Sequence, residues 1–162
     1  MYFINELKKF SEENSSNIAI FIDMDGVVAD YDFEGYINDG TKDDVYLNKR
    51  PVISSINPLK EVSSLSNVNL NILSVSRYER QINGKLTWLD KNMDFIKKEN
   101  IFILPRDTND FKKSKDLKRD FLEEKTNNND INIHIDDSHE VLETLRDLGA
   151  NLIILHVTSL ID

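Results

Sequence analysis

The chain has 162 residues, no cysteine, a net charge of −9 and a pI near 4.8. Its length suits a single domain spanning 1–162 with a substantial core. The missing thiols exclude disulfides, thiolate metal sites and cysteine nucleophiles, and the acidic balance argues against bulk binding to nucleic acid or an anionic membrane.

Phe3, Ile4, Leu7 and Phe10 recur at helical spacing and predict an amphipathic helix over 2–14, within an N-terminal segment 1–17. "IAIFI" at 18–22 predicts a buried strand. Residues 27–57, rich in Asp, Gly, Asn and Tyr with weak periodicity, read as a small insertion after that strand. Asn57-Pro58 suits a helix start, with Asn as cap and Pro in the first turn, running through Leu59, Val62 and Leu65. "LNIL" at 70–73 is a second strand, and Leu86, Leu89, Met93 and Ile96 mark helical structure over 84–99. "IFIL" at 101–104 is a third strand, followed by a charged helix over 114–125 and a loop over 126–130. "INIHI" at 131–135 is a fourth strand. Val141, Leu142, Leu145 and Leu148 place the next helix, with Gly149 as its C-terminal cap, before a fifth strand "LIIL" at 152–155. Apolar strands alternating with helices predict an α/β, doubly wound, Rossmann-like parallel sheet of about five strands.

Ligands of such sheets bind beyond the carboxyl ends of the strands. Polar groups follow three of those ends: Asp23 and Asp25, Ser74 and Ser76, and Asp136 and Asp137. Asp23 and Asp25 stand two apart, so an extended backbone aims both to one side, and Gly26 lets the chain turn sharply away. Two unit charges 4 Å apart repel by about 4 kcal/mol at an effective dielectric near 20. Four carboxylates together therefore ask for a cation or a proton, and hard oxygen ligands in an open site suit Mg²⁺.

"FIDMDGVVAD", "ILSVS" and "IHIDDS", in this order at strand ends, resemble the first, second and fourth motifs of the haloacid dehalogenase (HAD) superfamily. The resemblance spans residues 18 to about 156. It implies a phosphatase in which Asp23 attacks phosphorus and Asp25 is general acid and then base. It further implies Ser74 as donor to the phosphoryl oxygens, and Mg²⁺ held by Asp23, the Asp25 carbonyl, and Asp136 or Asp137. The superfamily's third-motif lysine is expected among Lys112, Lys113 and Lys115, with Lys113 or Lys115 favoured. "ILSVSRYERQINGKLTWLDKN" is similar, through Lys85 and Trp88, to the 5'(3')-deoxyribonucleotidase (5'-nucleotidase type C) family. That likeness implies substrate binding by Lys85 and a 5'-nucleotide as substrate, and Ser76 competes with Ser74 as the hydroxyl that meets the substrate. Ser74 replaces the family's usual Thr, and Arg77 stands where Pro is common. "PRDT" at 105–108 lacks the family's lysine. The insertion at 27–57 is too short for the family's helical cap, although Tyr31, Phe33, Tyr36 and Tyr46 can supply a partial lid.

Other readings compete. Asp136-Asp137-Ser138 can cap the following helix, the lysines can form a solvated face, and Trp88 suits the core better than a substrate contact. His134, His139 and His156 show no ligand spacing and receive no role. A DxD glycosyltransferase leaves the acidic pair and the lysines unused, and a receiver-type module needs a different order of acidic strand ends. A phosphatase of a sugar phosphate or a phosphorylated macromolecule stays open, as does a weakly active Mg²⁺-binding interaction module. Glu6 interrupts the start where a signal peptide would be apolar, and no apolar run reaches the roughly 20 residues that span a bilayer. The expected partner is a small phosphorylated molecule, and the expected location is the cytoplasm.

Overall fold

A computed structural model describes residues 2–31, 45–106, 112–126, 130–148 and 152–161. Five parallel strands form one sheet in the order β3-β2-β1-β4-β5. They are β1 (Ile18–Ile22), β2 (Val68–Ser76), β3 (Ile101–Pro105), β4 (Ile131–Asp136) and β5 (Leu152–His156). Among the described residues, five α-helices connect and flank them: α1 (Tyr2–Glu13), α2 (Ile53–Val62), α3 (Arg80–Asn92), α4 (Ser114–Lys125) and α5 (His139–Leu145).

Alternation along β1 divides the core. Ile18, Ile20 and Ile22 face a cluster built from Ile4 and Leu7 of α1, Ile56, Leu59 and Val62 of α2, and Trp88 and Leu89 of α3. Phe21 faces the opposite layer with Leu122 of α4 and Val141 and Leu145 of α5. Both faces of the central strand are therefore covered, which explains its unbroken apolar run. β1 pairs with β2 on one side and β4 on the other. Strand order reverses between β1 and β4, so the crevice at their carboxyl ends is the expected place for a ligand.

Several helices differ from their predicted limits, α5 among them: it ends at Leu145 and a 3₁₀ turn covers Arg146–Leu148. α2 begins at Ile53, and Pro58 lies inside it rather than at its start. Burial of Ile56, Leu59 and Val62 extends the helix back toward Val52, and Pro58 removes only one early backbone bond. α3 ends at Asn92, where Met93 leaves helical geometry at φ −139°. Met93 and Ile96 remain in the core, so an apolar rhythm continued where the helix did not. Phe33, Tyr36 and the rest of residues 32–44 of the predicted insertion fall outside the described residues, as does Gly149.

Candidate active site

The chain leaves β1 with one further ladder bond, from Asp23 N to the Ile135 carbonyl at 2.9 Å. It then turns within five residues. Val28 N and Ala29 N both donate to the Met24 carbonyl, and Gly26 N donates to the Ala29 carbonyl. Met24, Val27, Val28 and Ala29 are fully buried, which anchors the turn and leaves the two carboxylates at the sheet edge. Gly26 has φ +80°, and a Cβ there would lie 2.6 Å from Tyr31 Cε2 and overlap the Asp137 carboxylate. Both facts require glycine. Gly26→Ala should cost about 1–3 kcal/mol and push Asp137 out of place. Thermal denaturation with and without Mg²⁺ checks this: the stabilisation by Mg²⁺ should shrink in the variant, and an unchanged response would contradict the placement of Asp137.

Asp23, Asp136 and Asp137 each present an oxygen within 4.8 Å of the others. Between the first two lies Lys118 of α4. Its ammonium is 2.8 Å from Asp23 Oδ1 and 2.7 Å from Asp136 Oδ2, with the side chain only 4% exposed. Asp136 has three partners among the described residues. Oδ1 accepts from Ser138 N at 2.9 Å, and Oδ2 takes both Lys118 and His134 Nε2, the latter at 3.1 Å. The carboxylate must accept, so Nε2 carries the imidazole proton. The buried Nδ1 of His134 then has no partner among the described residues. Asp137 is half-buried and has Tyr31 Oη donating to its Oδ2 at 3.0 Å, so it keeps more acceptor capacity than Asp136.

Electrostatics separate these acids. Burial, with repulsion from Asp136 and Asp25, pushes the Asp23 carboxyl up to about 7 against the opposing charge of Lys118. Burial also acts to raise Asp136, but His134 and Lys118 overcome it and hold that carboxyl down at about 2. Burial and the neighbouring Asp136 raise Asp137, partly offset by Tyr31. Burial keeps His134 neutral. A strained nucleophile candidate with two acidic neighbours at hand fits a divalent cation bound by oxygen ligands.

Asp25 stands apart from this trio. Burial favours its neutral form, yet Lys85 and Lys49 together hold its carboxyl below the usual range. Lys85 Nζ is 2.7 Å from Asp25 Oδ2, 2.8 Å from Ser74 Oγ and 3.0 Å from the Val75 carbonyl. Lys49 Nζ is 2.5 Å from Asp25 Oδ1.

The structure thus brings together Asp23, Asp25, Ser74, Lys85, Asp136 and Asp137. Lys85 is fully buried and has a partner for each of its three protons, so it fixes Asp25 and Ser74 rather than projecting outward. Ser76 donates to the Tyr78 carbonyl. Lys113 is the N-cap of α4 with an exposed side chain, and Lys115 pairs with Glu140 at 2.9 Å. Neither reaches the acidic cluster; Lys118 does. Its signal in the sequence is its position three and four residues before Phe121 and Leu122, on the apolar stripe of α4. His134 has a weaker signal, being on the same face of β4 as Asp136. Lys49 has none. Trp88 is core, with its Nε1 donating to the Lys49 carbonyl at 2.8 Å. Ser138 caps α5 by accepting from Val141 N, so the capping and acidic readings of this turn coexist.

No family model and no curated protein matches the chain. Solved structures do. One is a chain of the Pnkp1/Rnl/Hen1 RNA repair complex, with a TM-score of 0.65 and 18% identity over 88% of this chain. This chain spans 43% of that one. Another is the HAD domain of effector protein Lem4 from Legionella pneumophila, with a TM-score of 0.53 and 16% identity over 86% of this chain and 85% of that one. An inactive mutant of the same domain gives 0.51 and 16%, over 88% and 84%. The fold is α/β, Rossmann-like and consistent with that of HAD domains.

Proposed function

We propose that this protein is a Mg²⁺-dependent phosphatase of small phosphate monoesters, working through an aspartyl-phosphate on Asp23. The observation that carries the reading is the buried Lys118 ammonium bridging Asp23 and Asp136 at the switch point of the sheet. A cation there offsets the charge of the nucleophile and of an arriving phosphoryl group, and Asp25 follows two residues later on the same turn.

In the first step an Asp23 oxygen bonds to phosphorus as the ester P–O bond breaks, and Asp25, which takes up a proton from solvent as the phosphoryl group binds, gives that proton to the departing oxygen. In the second, Asp25 takes a proton from water, which attacks the aspartyl-phosphate to release phosphate and restore Asp23. Asp25 is charged in the free protein, and the incoming phosphoryl charge raises its proton affinity at the moment a proton is needed. Ser74 Oγ, positioned by Lys85, donates to a phosphoryl oxygen. Asp23, Asp137 and the Asp25 carbonyl would hold Mg²⁺, with Asp136 kept beside them by Lys118 and His134. The ion supplies neutralisation of the phosphate charge.

A nucleoside 5'-monophosphate is the first substrate to test, on the likeness of Lys85 and Trp88 to the deoxyribonucleotidase pattern. Phosphate release from 5'- and 3'-deoxyribonucleotides, sugar phosphates and p-nitrophenyl phosphate decides it. A nucleotide preference supports this substrate class; turnover of the others alone keeps the chemistry and discards the nucleotide.

A further inference from the structure

Asp25 carries one negative charge and meets two ammonium groups, those of Lys49 and Lys85. The excess positive charge is local, in a chain of net −9, and it belongs to Lys49. Lys85 uses its protons on Asp25, Ser74 and Val75. Among the described residues, Lys49 Nζ makes one hydrogen bond, to Asp25 Oδ1. Its remaining charge lies 4.7 Å from the Tyr46 ring centroid and 5.8 Å from that of Tyr31.

The position is built rather than incidental. Asp30 N donates to the Arg50 carbonyl and Val52 N to the Val28 carbonyl, while Ala29 and Pro51 form an antiparallel bridge. The segment carrying Lys49 is thereby fixed alongside the turn that carries Asp25. Trp88, itself buried, fastens the Lys49 carbonyl from the other side. A cation held this firmly binds an anion at reduced entropic cost.

We propose that Lys49 forms an anion subsite on the leaving-group side of the phosphoryl centre, selecting phosphate monoesters with a second anionic group on a short leaving group. The inference rests on the phosphatase reading, in which Asp25 meets the departing oxygen. An oxygen hydrogen-bonded to one side of that carboxylate comes within roughly 5 Å of an ammonium bonded to the other side. A carboxylate or phosphate two or three bonds beyond the ester oxygen then meets Lys49. A compact ammonium recognises either as a point charge.

The test is kcat/KM in Mg²⁺ for matched pairs. 3-Phosphoglycerate and glycerol 3-phosphate differ by a carboxylate; ethylene glycol bisphosphate and monophosphate differ by a phosphate. The wild type should favour the doubly anionic member of at least one pair by roughly tenfold, as one charge-assisted hydrogen bond allows. Lys49→Met should collapse that preference, mainly through KM, and Lys49→Arg should restore most of it. Whichever pair responds names the second anion. Equal losses for both members in Lys49→Met, or no wild-type preference in either pair, would overturn the subsite and leave Lys49 as a holder of Asp25. Failure of the wild type to hydrolyse any of the four, while it releases phosphate from the wider substrate panel, would overturn the subsite alone; no release from the four or from the panel would overturn the phosphatase reading, and the subsite with it.

Discussion

Lys118→Met should lose at least about 10²–10³-fold in kcat for phosphate release, the range for removing one group that stabilises developing charge. The same change should destabilise the fold by about 3–5 kcal/mol, because it strips the shared partner from two buried carboxylates. Its ammonium sits within 2.8 Å of both Asp23 and Asp136, and methionine fills similar space without the charge. Part of the stability loss is recovered when one acid takes up a proton, so the defect should be milder at low pH. Lys115→Met makes the contrast. That lysine pairs with Glu140 on the surface, so its removal should leave turnover at the wild-type level. Phosphate release below each variant's melting transition separates chemistry from unfolding. Loss of activity in Lys115→Met with retention in Lys118→Met would reverse the assignment.

Asp23→Asn should abolish turnover and yet, without metal, make the protein more stable at neutral pH. In the metal-free fold the Asp23 carboxyl is raised from 3.8 to about 7. A raised pKa means that the folded state prefers the proton: the stabilisation is complete below the unfolded value and lost as pH rises through the folded one. The wild type in EDTA should therefore decline between about pH 4 and 7, by an amount on the order of a few kcal/mol. Asp136 runs the other way. Its carboxyl is held down at about 2, so its contribution is present above the unfolded value and disappears as pH falls toward 2. Asparagine at position 23 removes the neutral-pH decline while leaving Lys118 paired with Asp136. Melting temperatures in EDTA at pH 5 and 7.5 test this, with Mg²⁺ added in a second series. The variant should melt higher than the wild type at pH 7.5, and Mg²⁺ should stabilise it less. A variant that melts lower at pH 7.5 would contradict the strained acid inferred here. This is the usual exchange of stability for function at a charged site.

Much of the fold was legible because its signals are local. The strand at 18–22 and the helix over 114–125 match the structure residue for residue, the first as an apolar run between polar breaks and the second as a charged, helix-favouring stretch ended by the Asn-rich loop. β2 was read short. Asn69 and Asn71 interrupt its apolar character, but Asn71 is buried with its amide near the Ile20 carbonyl at 3.4 Å, and parallel pairing with β1 carries the strand from Val68. The acids at the strand ends were legible for a similar reason: a sheet with one strand order brings consecutive carboxyl ends to one edge. Lys118 does not stand out in the sequence because a lysine run looks solvated, and only burial of one helix face distinguishes its members. Lys49 was invisible because its place depends on residues 50–52 pairing with 28–30, a contact across an insertion without periodicity. Among the described residues no helix is long and apolar enough to cross a membrane.

The central claim is that Asp23 is the nucleophile of a metal-dependent phosphatase. Phosphate release from the substrate panel by wild type in Mg²⁺, by wild type in EDTA, and by folded Asp23→Asn in Mg²⁺ tests it most directly. Release in the first condition alone is the predicted result. Release that persists in Asp23→Asn, or no release by folded wild type in Mg²⁺ from any substrate, would contradict it.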